Sequence, residues 1–279
     1  MIRIITDTSA LYAPNMAEEL GICITPLCVS VNGKTYRELE EIDSRQFLEL
    51  LSTGAIPASS QPSIGEKMDA YSSYPGDEII DLAMADGLSG TYQSACGARE
   101  DCENKEHIHV VNTQTLCGPH RYLVEKAIAL SKTTDDIHTV LKQLQESIDN
   151  SYSYLIPADF DFLKRGGRLT PLAATIGGLL KIVPIMSLTE GTTKKLEKHA
   201  IKRTFKGAVQ SIIESLKEKG VNEDHIIYIA HALCPDKAAL ASKLLDDAFP
   251  NTEIITLELS PAFITQGGPG CIAIQSILK

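Results

Sequence analysis

The chain has 279 residues, of which 43% are hydrophobic and 22% are charged, and this composition excludes a mainly disordered, collagen-like or coiled-coil protein. The 26 basic and 36 acidic residues give a net charge of −10, which argues against nucleic-acid binding because that binding depends on cations that meet phosphates. At roughly 150 residues per domain, the length suits two domains or one large one.

The sequence carries no signal for export, for a membrane span or for a metal. The opening MIRIITDTSA lacks the long apolar stretch of a signal peptide. The most apolar stretch, residues 176–186, is interrupted by Lys181 and Pro184 and is far shorter than a membrane span. None of the seven cysteines forms a CxxC pair, so neither a zinc site nor a redox motif is indicated. We therefore expect a cytoplasmic protein that is not integral to the membrane and has no cofactor or metal.

Strand-like and helix-like segments alternate through the first half of the chain. A β-rich run at residues 2–6 precedes a helix over 14–20, and Asn32-Gly33 forms a hairpin turn between two short strands. Capping boxes at Asp43 and Ser63 each begin a helix. Residues 79–84 and 110–111 predict strands, and helices are predicted from about Thr91 and over 121–131 and 135–148. This alternation predicts a mainly parallel sheet covered by helices.

The second half has a different pattern. Residues 163–167 and 170–178 predict short helical or loop pieces rich in glycine and small side chains. Strands are predicted at residues 182–188, 196–201, 226–230, 254–257 and 272–274, and helices over 205–219 and 237–248. We predict an α/β protein with two domains, a mainly parallel α/β domain of residues 1–152 and a mixed-sheet α+β domain of residues 153–279.

Four short motifs stand out as functional signals. The first, LSGTYQSA, places Ser89 and Gly90 between a predicted strand and a predicted helix, where free N–H groups and the helix dipole attract an anion. The same position also suits a serine that simply caps the helix, and the sequence leaves both roles open. The other three motifs, each of which alone also fits ordinary turn chemistry, are SSQPSIGE at 59–66, KRGGR at 164–168 and QGGPG at 266–270.

In this order and at this spacing, the four motifs resemble those of the DegV family of bacterial fatty acid-binding proteins. Asp7-Thr8-Ser9 and the VVNT run at 110–113 fit the same pattern, and the resemblance covers essentially the whole chain. It implies a DegV-like two-domain fold that holds one long-chain fatty acid at the domain interface, with its acyl tail in an apolar tunnel. It also implies a lipid-binding protein and not an enzyme. Some members present the fatty acid to a partner kinase, which forms an acyl phosphate for phospholipid synthesis.

The resemblance also assigns residues to the site. It implies that hydroxyl and amide groups of four residues bind the fatty acid carboxylate, namely Ser59, Ser89, Gly90 and Gln266. It adds four residues to the pocket or the interface, namely Ser60, Arg168, Gly267 and Gly268.

The chain departs from the family pattern at several positions. Ser59 stands where the family has threonine, which keeps the hydroxyl donor, and Gln266 stands where it has histidine. Asn112-Thr113 replaces a common aspartate-serine pair, and Cys117 replaces a serine. We expect the protein to bind lipid despite these changes. They put in question whether the bound lipid can still take part in phosphoryl transfer.

A serine hydrolase is the alternative class. The order strand, Ser89, helix resembles a nucleophile elbow, and His231 near a predicted strand end could act as its base. A G-x-S-x-G elbow, however, requires glycine where Thr91 stands, and no acid partner is indicated.

A basic run interrupts this acidic chain, with six cations among residues 194–206. Three of them, Lys198, Lys202 and Arg203, are predicted to dock a partner kinase or, transiently, a membrane surface with anionic headgroups. A solvated face of the protein is the alternative interpretation of the run.

Overall fold

The computed structural model describes residues 1–175 and 182–279. Within these residues the strands are β1 Ile2–Asp7, β2 Cys23–Thr25, β3 Cys28–Val31, β4 Lys34–Arg37, β5 Ala58–Ser60, β6 Glu78–Ala83, β7 Ile108–Asn112, β8 Ser151–Ile156, β9 Val183–Leu188, β10 Leu196–Lys202, β11 His225–His231, β12 Glu253–Glu258 and β13 Ile272–Leu278. The α-helices are α1 Ala17–Leu20, α2 Ser44–Leu51, α3 Ile64–Ser72, α4 Thr91–Glu100, α5 Cys117–Ser131, α6 Ile137–Asp149, α7 Phe160–Gly166, α8 Phe205–Glu218, α9 Pro235–Ala248 and α10 Pro261–Gly267. The predicted segment at 170–178 and the apolar stretch at 176–186 fall partly on residues 176–181, which lie outside the described residues.

The first sheet is parallel, with strand order β2-β1-β6-β7. The central strands β1 and β6 are almost continuously buried, because helices cover the sheet on both faces. This confirms the predicted parallel α/β architecture of the N-terminal region.

The second sheet has six strands in the order β10-β9-β8-β13-β11-β12. Strands β11 and β12 are parallel and every other neighbouring pair is antiparallel, which confirms the predicted mixed sheet. All six strands follow residue 150, and α5 and α6, which precede them, pack against β13. The boundary after residue 152 stays a prediction.

Helices α5 and α6 form a layer between the two large sheets. Leu123 of α5 and Leu144 of α6 share one apolar cluster with Ile4 of β1 and with Tyr228 and Ile277 of the second sheet. Helices α3 and α4 cover the outer face of the first sheet, and α8 and α9 cover that of the second. The order of layers is therefore helix, sheet, helix, sheet, helix.

A small antiparallel sheet with the order β4-β3-β5 lies at one end of these layers. Its hairpin turns at Asn32-Gly33 with φ of 53° and 77°, as the predicted primed turn requires. Val29 and Phe47 join one cluster with Met84, just beyond β6, and with Phe263 of α10 and Cys271. This cluster brings the small sheet, the carboxyl end of the parallel sheet and α10 together, and the predicted site residues meet there.

Candidate functional site

Helix α4 begins at Thr91, directly after Gly90, as the sequence predicted. The Ser89 Oγ lies 2.8 Å from the Thr91 Oγ1 and accepts the Thr91 N–H at 3.3 Å, so Ser89 makes a local contact at the start of the helix. Ser89 also lines a cavity together with Ser59, Arg168 and Gln266. Gly90 occupies the N-cap position of α4, so Ser89 precedes the cap. The Ser89 side chain is half-buried at the cavity wall, and its role in binding an anion stays a prediction.

Ser59 and Gln266 meet although 207 positions separate them. Ser59 lies in β5 opposite Val29, and Gln266 lies near the end of α10, where its Nε2 donates to the Ser59 Oγ at 3.1 Å. The Gln266 Oε1 is buried against Gly166 and has no hydrogen-bond partner among the described residues. Because Ser59 accepts the amide hydrogen, its own O–H remains available for another acceptor.

Arg168 brings a positive charge to the same place. Its Nε donates to the Leu88 carbonyl at 2.9 Å and its Nη1 to the Gly166 carbonyl at 2.5 Å. These two bonds fix a half-buried guanidinium beside Ser89, and its other N–H groups have no side-chain or carbonyl acceptor among the described residues. Arg168 is the one charged residue among the described residues that line this cavity.

Two adjoining cavities form the site. The outer cavity, of ≈ 30 Å³, carries the polar side chains of Ser59, Ser60, Ser89, Arg168 and Gln266. The inner cavity, of ≈ 90 Å³, lies between the start of α5 and the six-stranded sheet, and its wall is mostly apolar: Met84, Leu88, Leu116, Cys117, Leu155, Leu188, Leu196, Leu259, Phe263, Cys271 and Ala273. The two cavities share Met84, Leu88, Arg168, Phe263 and Gln266. A polar mouth above an apolar interior suits a molecule with a polar head and a long apolar tail.

Gln275 and Ser153 also line the inner cavity, and neither was among the residues that the sequence predicted for the site. Gln275 of β13 lies opposite Ser153 of β8, and its Nε2 donates to the Leu116 carbonyl and to the Ser153 Oγ, both at 2.9 Å. The Gln275 Oε1 is buried without a hydrogen-bond partner among the described residues. The available signal was a glutamine within the apolar run CIAIQSIL.

The remaining predicted residues lie at different distances from this site. Gly90 is exposed and, with Ser89 and Arg168, borders a shallow depression beside the mouth. Gly267 lines the inner cavity and packs closely on Cys271. Gly268 packs instead on Phe162 with a φ of 78° and lines neither described cavity.

The basic residues Lys198, Lys202 and Arg203 lie away from both cavity walls. Lys198 and Lys202 belong to β10, an edge strand of the six-stranded sheet, and Arg203 follows it. Lys198 and Arg203 are exposed, as is the intervening Ile201.

The geometry does not provide the hydrolase alternative with a base. Within residues 1–175 and 182–279, the Ser89 Oγ bonds to Thr91 and to no histidine or carboxylate. The His231 Nδ1 accepts the backbone N–H of Cys234 instead. A serine–histidine contact does occur between the Ser9 Oγ and the His120 Nδ1 at 2.7 Å, but both residues are fully buried and out of reach of a substrate. Burial lowers the pKa of His120, as expected for a neutral structural histidine.

The fold and the site define a layered α/β protein with an amphiphilic pocket at the carboxyl end of its parallel sheet. A family model described as an uncharacterised protein of the DegV family matches residues 1–279, and the chain therefore belongs to the DegV family. It is 30% identical over 282 residues to protein DegV of Bacillus subtilis, with 98% of each chain covered. It is also 30% identical over 279 residues to a DegV domain-containing protein of Halalkalibacterium halodurans, covering 98% of this chain and 97% of the relative.

Solved structures agree with this assignment. The DegV structure of Bacillus subtilis, described as a fatty acid binding protein, superposes with a TM-score of 0.86 at 29% identity. A DegV family protein of Thermus thermophilus, described by its fatty acid binding, gives a TM-score of 0.89 at 26% identity. Each comparison covers 100% of this chain and 99% of the other. These likenesses confirm the predicted family and fold class. In the described part of the chain, no helix is both long enough and apolar enough to span a membrane.

Proposed function

We propose that this protein binds one long-chain fatty acid, with the carboxylate at the polar mouth and the acyl chain in the apolar cavity. The observation that carries the proposal is that the two cavities share part of their wall. The cavity with the hydroxyl and guanidinium donors therefore adjoins the apolar one directly. The relatives from Bacillus subtilis and Thermus thermophilus, which are described as fatty acid binding proteins, support it.

The mouth carries the donors that a poorly solvated carboxylate needs, since burial of that charge is costly without hydrogen bonds. Ser59 and Ser89 supply hydroxyl donors, and Arg168 supplies a cation. The Gly90 region adds the partial positive charge at the start of α4. Gln266 acts on the carboxylate through Ser59, whose hydroxyl it orients.

The acyl chain contributes most of the binding free energy. Each buried methylene is worth about 0.8 kcal/mol, so a long chain gains about 10 kcal/mol before the costs of ordering are subtracted. A ligand held this strongly stays bound through purification.

We further propose that the protein is the non-catalytic, cytoplasmic binding subunit of a fatty acid kinase. In this role it presents the carboxylate, and a partner kinase supplies the nucleotide and forms the acyl phosphate. The exposed basic residues around β10 are the proposed dock for the partner, because they lie outside the ligand cavities on a chain of net charge −10.

Mass spectrometry tests the binding proposal. Protein purified from a bacterial host is expected to carry about one fatty acid per chain, detected by native mass spectrometry and identified after extraction with organic solvent. Ser89→Ala is expected to weaken rebinding by about tenfold or more, with an unchanged circular dichroism spectrum, because it removes one charge-assisted hydrogen bond. Protein without lipid that also fails to take up palmitate or oleate would refute fatty acid binding.

A charge reversal tests the docking proposal separately. We expect Lys198→Glu, Lys202→Glu and Arg203→Glu together to lower the turnover of a fatty acid kinase subunit that uses the loaded protein, while fatty acid affinity stays the same. If kinase turnover and the exchange of fatty acid with anionic vesicles are both unchanged, the basic run is a solvated surface that docks no partner.

A further inference from the structure

We propose that Glu38 is a positioning residue for the fatty acid site, which joins the small sheet to α10 across the outer cavity and so determines how readily the mouth opens. A proton on Glu38 keeps the mouth closed, and loss of that proton speeds the release of fatty acid. This inference rests on the proposed function and concerns the exchange of its ligand.

The mouth lies between the small sheet and α10. Helix α10 packs on β3, β5 and α2. One part of the wall of the outer cavity comes from the small sheet and the residue before it, and another part comes from α10: Leu27, Ser59 and Ser60, and Ala262, Phe263 and Gln266. This cavity of ≈ 30 Å³ holds roughly two or three water molecules. We therefore expect the passage of a long-chain fatty acid to require that the two parts of the wall move apart.

Glu38 contacts both parts of this wall. Its backbone N–H donates to the Leu27 carbonyl at 2.9 Å, and its Oε2 accepts the backbone N–H of Ala262 at 2.8 Å. Gln266 lies four residues beyond Ala262, about one turn further along the same face of α10, where it contacts Ser59. The bond between Glu38 and Ala262 therefore holds Gln266 beside Ser59.

A second hydrogen bond joins the same two parts of the fold. The Ser44 Oγ of α2 donates to the Leu259 carbonyl at 2.7 Å, and both residues are buried. Leu259 lies just before α10 and lines the inner cavity. We call the contact of α10 with the segment from β3 to β5 the joint. The joint thus contains one hydrogen bond whose acceptor titrates, at Glu38, and one that does not titrate, at Ser44.

The surroundings of Glu38 favour its neutral form. Its side chain is fully buried, and none of the ion pairs in the described part of the chain includes it. The titratable groups that face it are the carboxyl group of Asp7 on β1 and the thiols of Cys28 on β3 and Cys117 on α5, whereas α10 carries no ionisable side chain. The charged neighbours on its own loop contact one another: Arg37, Glu40 and Glu41.

Burial raises the pKa of Glu38 to about 7, against the opposing effect of hydrogen bonds from Thr8 and Ala262. The Thr8 Oγ1 lies 2.5 Å from the Glu38 Oε1, so a neutral Glu38 can donate its hydrogen to Thr8 while its Oε2 still accepts from Ala262. When Glu38 is ionised, the closed joint encloses a charge without a cation, and separation of the two parts lets water hydrate that charge.

Opening of the joint is therefore linked to the loss of this proton. In the open joint, water returns the pKa of Glu38 toward its ordinary 4.5, whereas in the closed joint the pKa is about 7. The equilibrium for opening consequently rises by up to about tenfold per pH unit between these two values and levels off above the higher one.

Release kinetics test the inference. Protein loaded with palmitate is mixed with an excess of phosphatidylcholine vesicles, and the transfer rate is measured from about pH 5.5 to 8.5 under conditions where it does not depend on vesicle concentration. Because palmitate itself titrates in every variant alike, the ratio of the wild-type rate to that of Glu38→Gln isolates Glu38. This ratio is expected to rise about tenfold between about pH 5.5 and 7.5 and to level off above that range.

Three further variants assign the effect. Glu41→Gln makes the same change at an exposed carboxyl group of the same loop, so this matched control should keep the wild-type profile. Ser44→Ala removes the hydrogen bond that does not titrate and should speed release several-fold at every pH, with the same dependence on pH. If Glu38→Gln does not fold, Thr8→Val serves instead. It removes a hydrogen bond that lowers the pKa of Glu38, so the release rate should level off at a higher pH.

The outcomes separate this inference from the proposed function. A rate ratio that stays constant across the pH range, or a Thr8→Val profile that does not move, would overturn the role of Glu38 and leave fatty acid binding intact. Release from Ser44→Ala at the wild-type rate would also overturn it, because the joint would then not limit release. Protein that takes up no palmitate at all would overturn the proposed function and this inference together.

Discussion

The contact between Gln266 and Ser59 gives the sharpest prediction about the mouth of the site. Gln266 donates to the Ser59 Oγ at 3.1 Å, and we propose that the Ser59 O–H in turn donates to the fatty acid carboxylate. Gln266→Leu, Ser59→Ala and the double variant separate a residue that orients Ser59 from one that contacts the carboxylate itself.

The magnitudes follow from the type of hydrogen bond that each variant removes. Ser59→Ala removes a bond to a charged group and should cost about 1.5–3 kcal/mol in binding, which is roughly 10- to 150-fold in affinity. Gln266→Leu keeps the Ser59 hydroxyl but frees its rotation, and should cost about 1 kcal/mol, the net value of one neutral hydrogen bond. Because Gln266 acts through Ser59, the double variant should cost no more than Ser59→Ala alone.

Isothermal titration calorimetry of palmitate into the four delipidated proteins measures this cycle at one pH and temperature. A double variant whose loss equals that of Ser59→Ala within about 0.5 kcal/mol supports the orienting role. Strictly additive losses would refute the reasoning, because they would show that Gln266 and Ser59 reach the carboxylate independently. Circular dichroism and thermal unfolding of each variant serve as controls for the fold.

Three further predictions concern packing and pH. Gly166→Ala should weaken fatty acid binding about as much as Gln266→Leu with little loss of stability, because a Cβ at this position would displace the Gln266 Oε1. Tyr228→Phe should leave stability unchanged or raise it slightly, since the Tyr228 Oη is buried without a hydrogen-bond partner among the described residues. Tyr71→Phe should instead cost about 1.5–3 kcal/mol of stability, because it removes a buried 2.5 Å hydrogen bond to the Asp81 carboxylate. Burial raises the pKa of Glu38 from its ordinary 4.5 to about 7, so the folded state holds this proton more tightly than the unfolded chain does. The free energy of unfolding should therefore fall by up to about 3 kcal/mol as the pH rises from 4.5 to about 7. Glu38→Gln should remove that dependence on pH.

Matched measurements make these predictions decisive. Gly97→Ala is the control for the glycine variant, because a Cβ there meets nothing within 4 Å; it should raise stability by about 0.5–1 kcal/mol and leave binding unchanged. Equal losses of stability in the two tyrosine variants, measured by urea unfolding, would contradict the assignment of their hydrogen bonds. An unfolding free energy whose change between pH 4.5 and 7 is the same with and without Glu38 would show that this carboxyl does not titrate in that window.

Features that depend on neighbouring residues could be predicted from the sequence. The capping boxes that begin α2 and α3 form as predicted, since both partners of each box lie within four residues. The hairpin at Asn32-Gly33 and the start of α4 at Thr91 likewise depend on local backbone preferences. The two halves of the chain differ in their pattern of strands and helices, and this difference predicted a parallel sheet followed by a mixed one.

The sequence did not predict β2, β5, β8 or α10. Strands β2 and β5 have only three residues each, too few for a period-two pattern, and β5 forms by pairing with β3. Helix α10 is a seven-residue helix that begins at Pro261 and is buried along most of its length, so it lacks an amphipathic pattern. Tertiary contacts determine such elements more than local preference does.

By itself, the sequence determined the class of fold, the family and the motifs that form the mouth of the site. Only the tertiary structure decided which motif residues meet, because the contact between Ser59 and Gln266 joins β5 to α10 across 207 positions. It also decided that Gln275 lines the apolar cavity and that its Oε1 is buried without a hydrogen-bond partner among the described residues. The physical reason is that hydrogen-bond satisfaction and cavity shape depend on groups brought together by packing, whereas turns, caps and hydrophobic periodicity depend on residues adjacent in the chain.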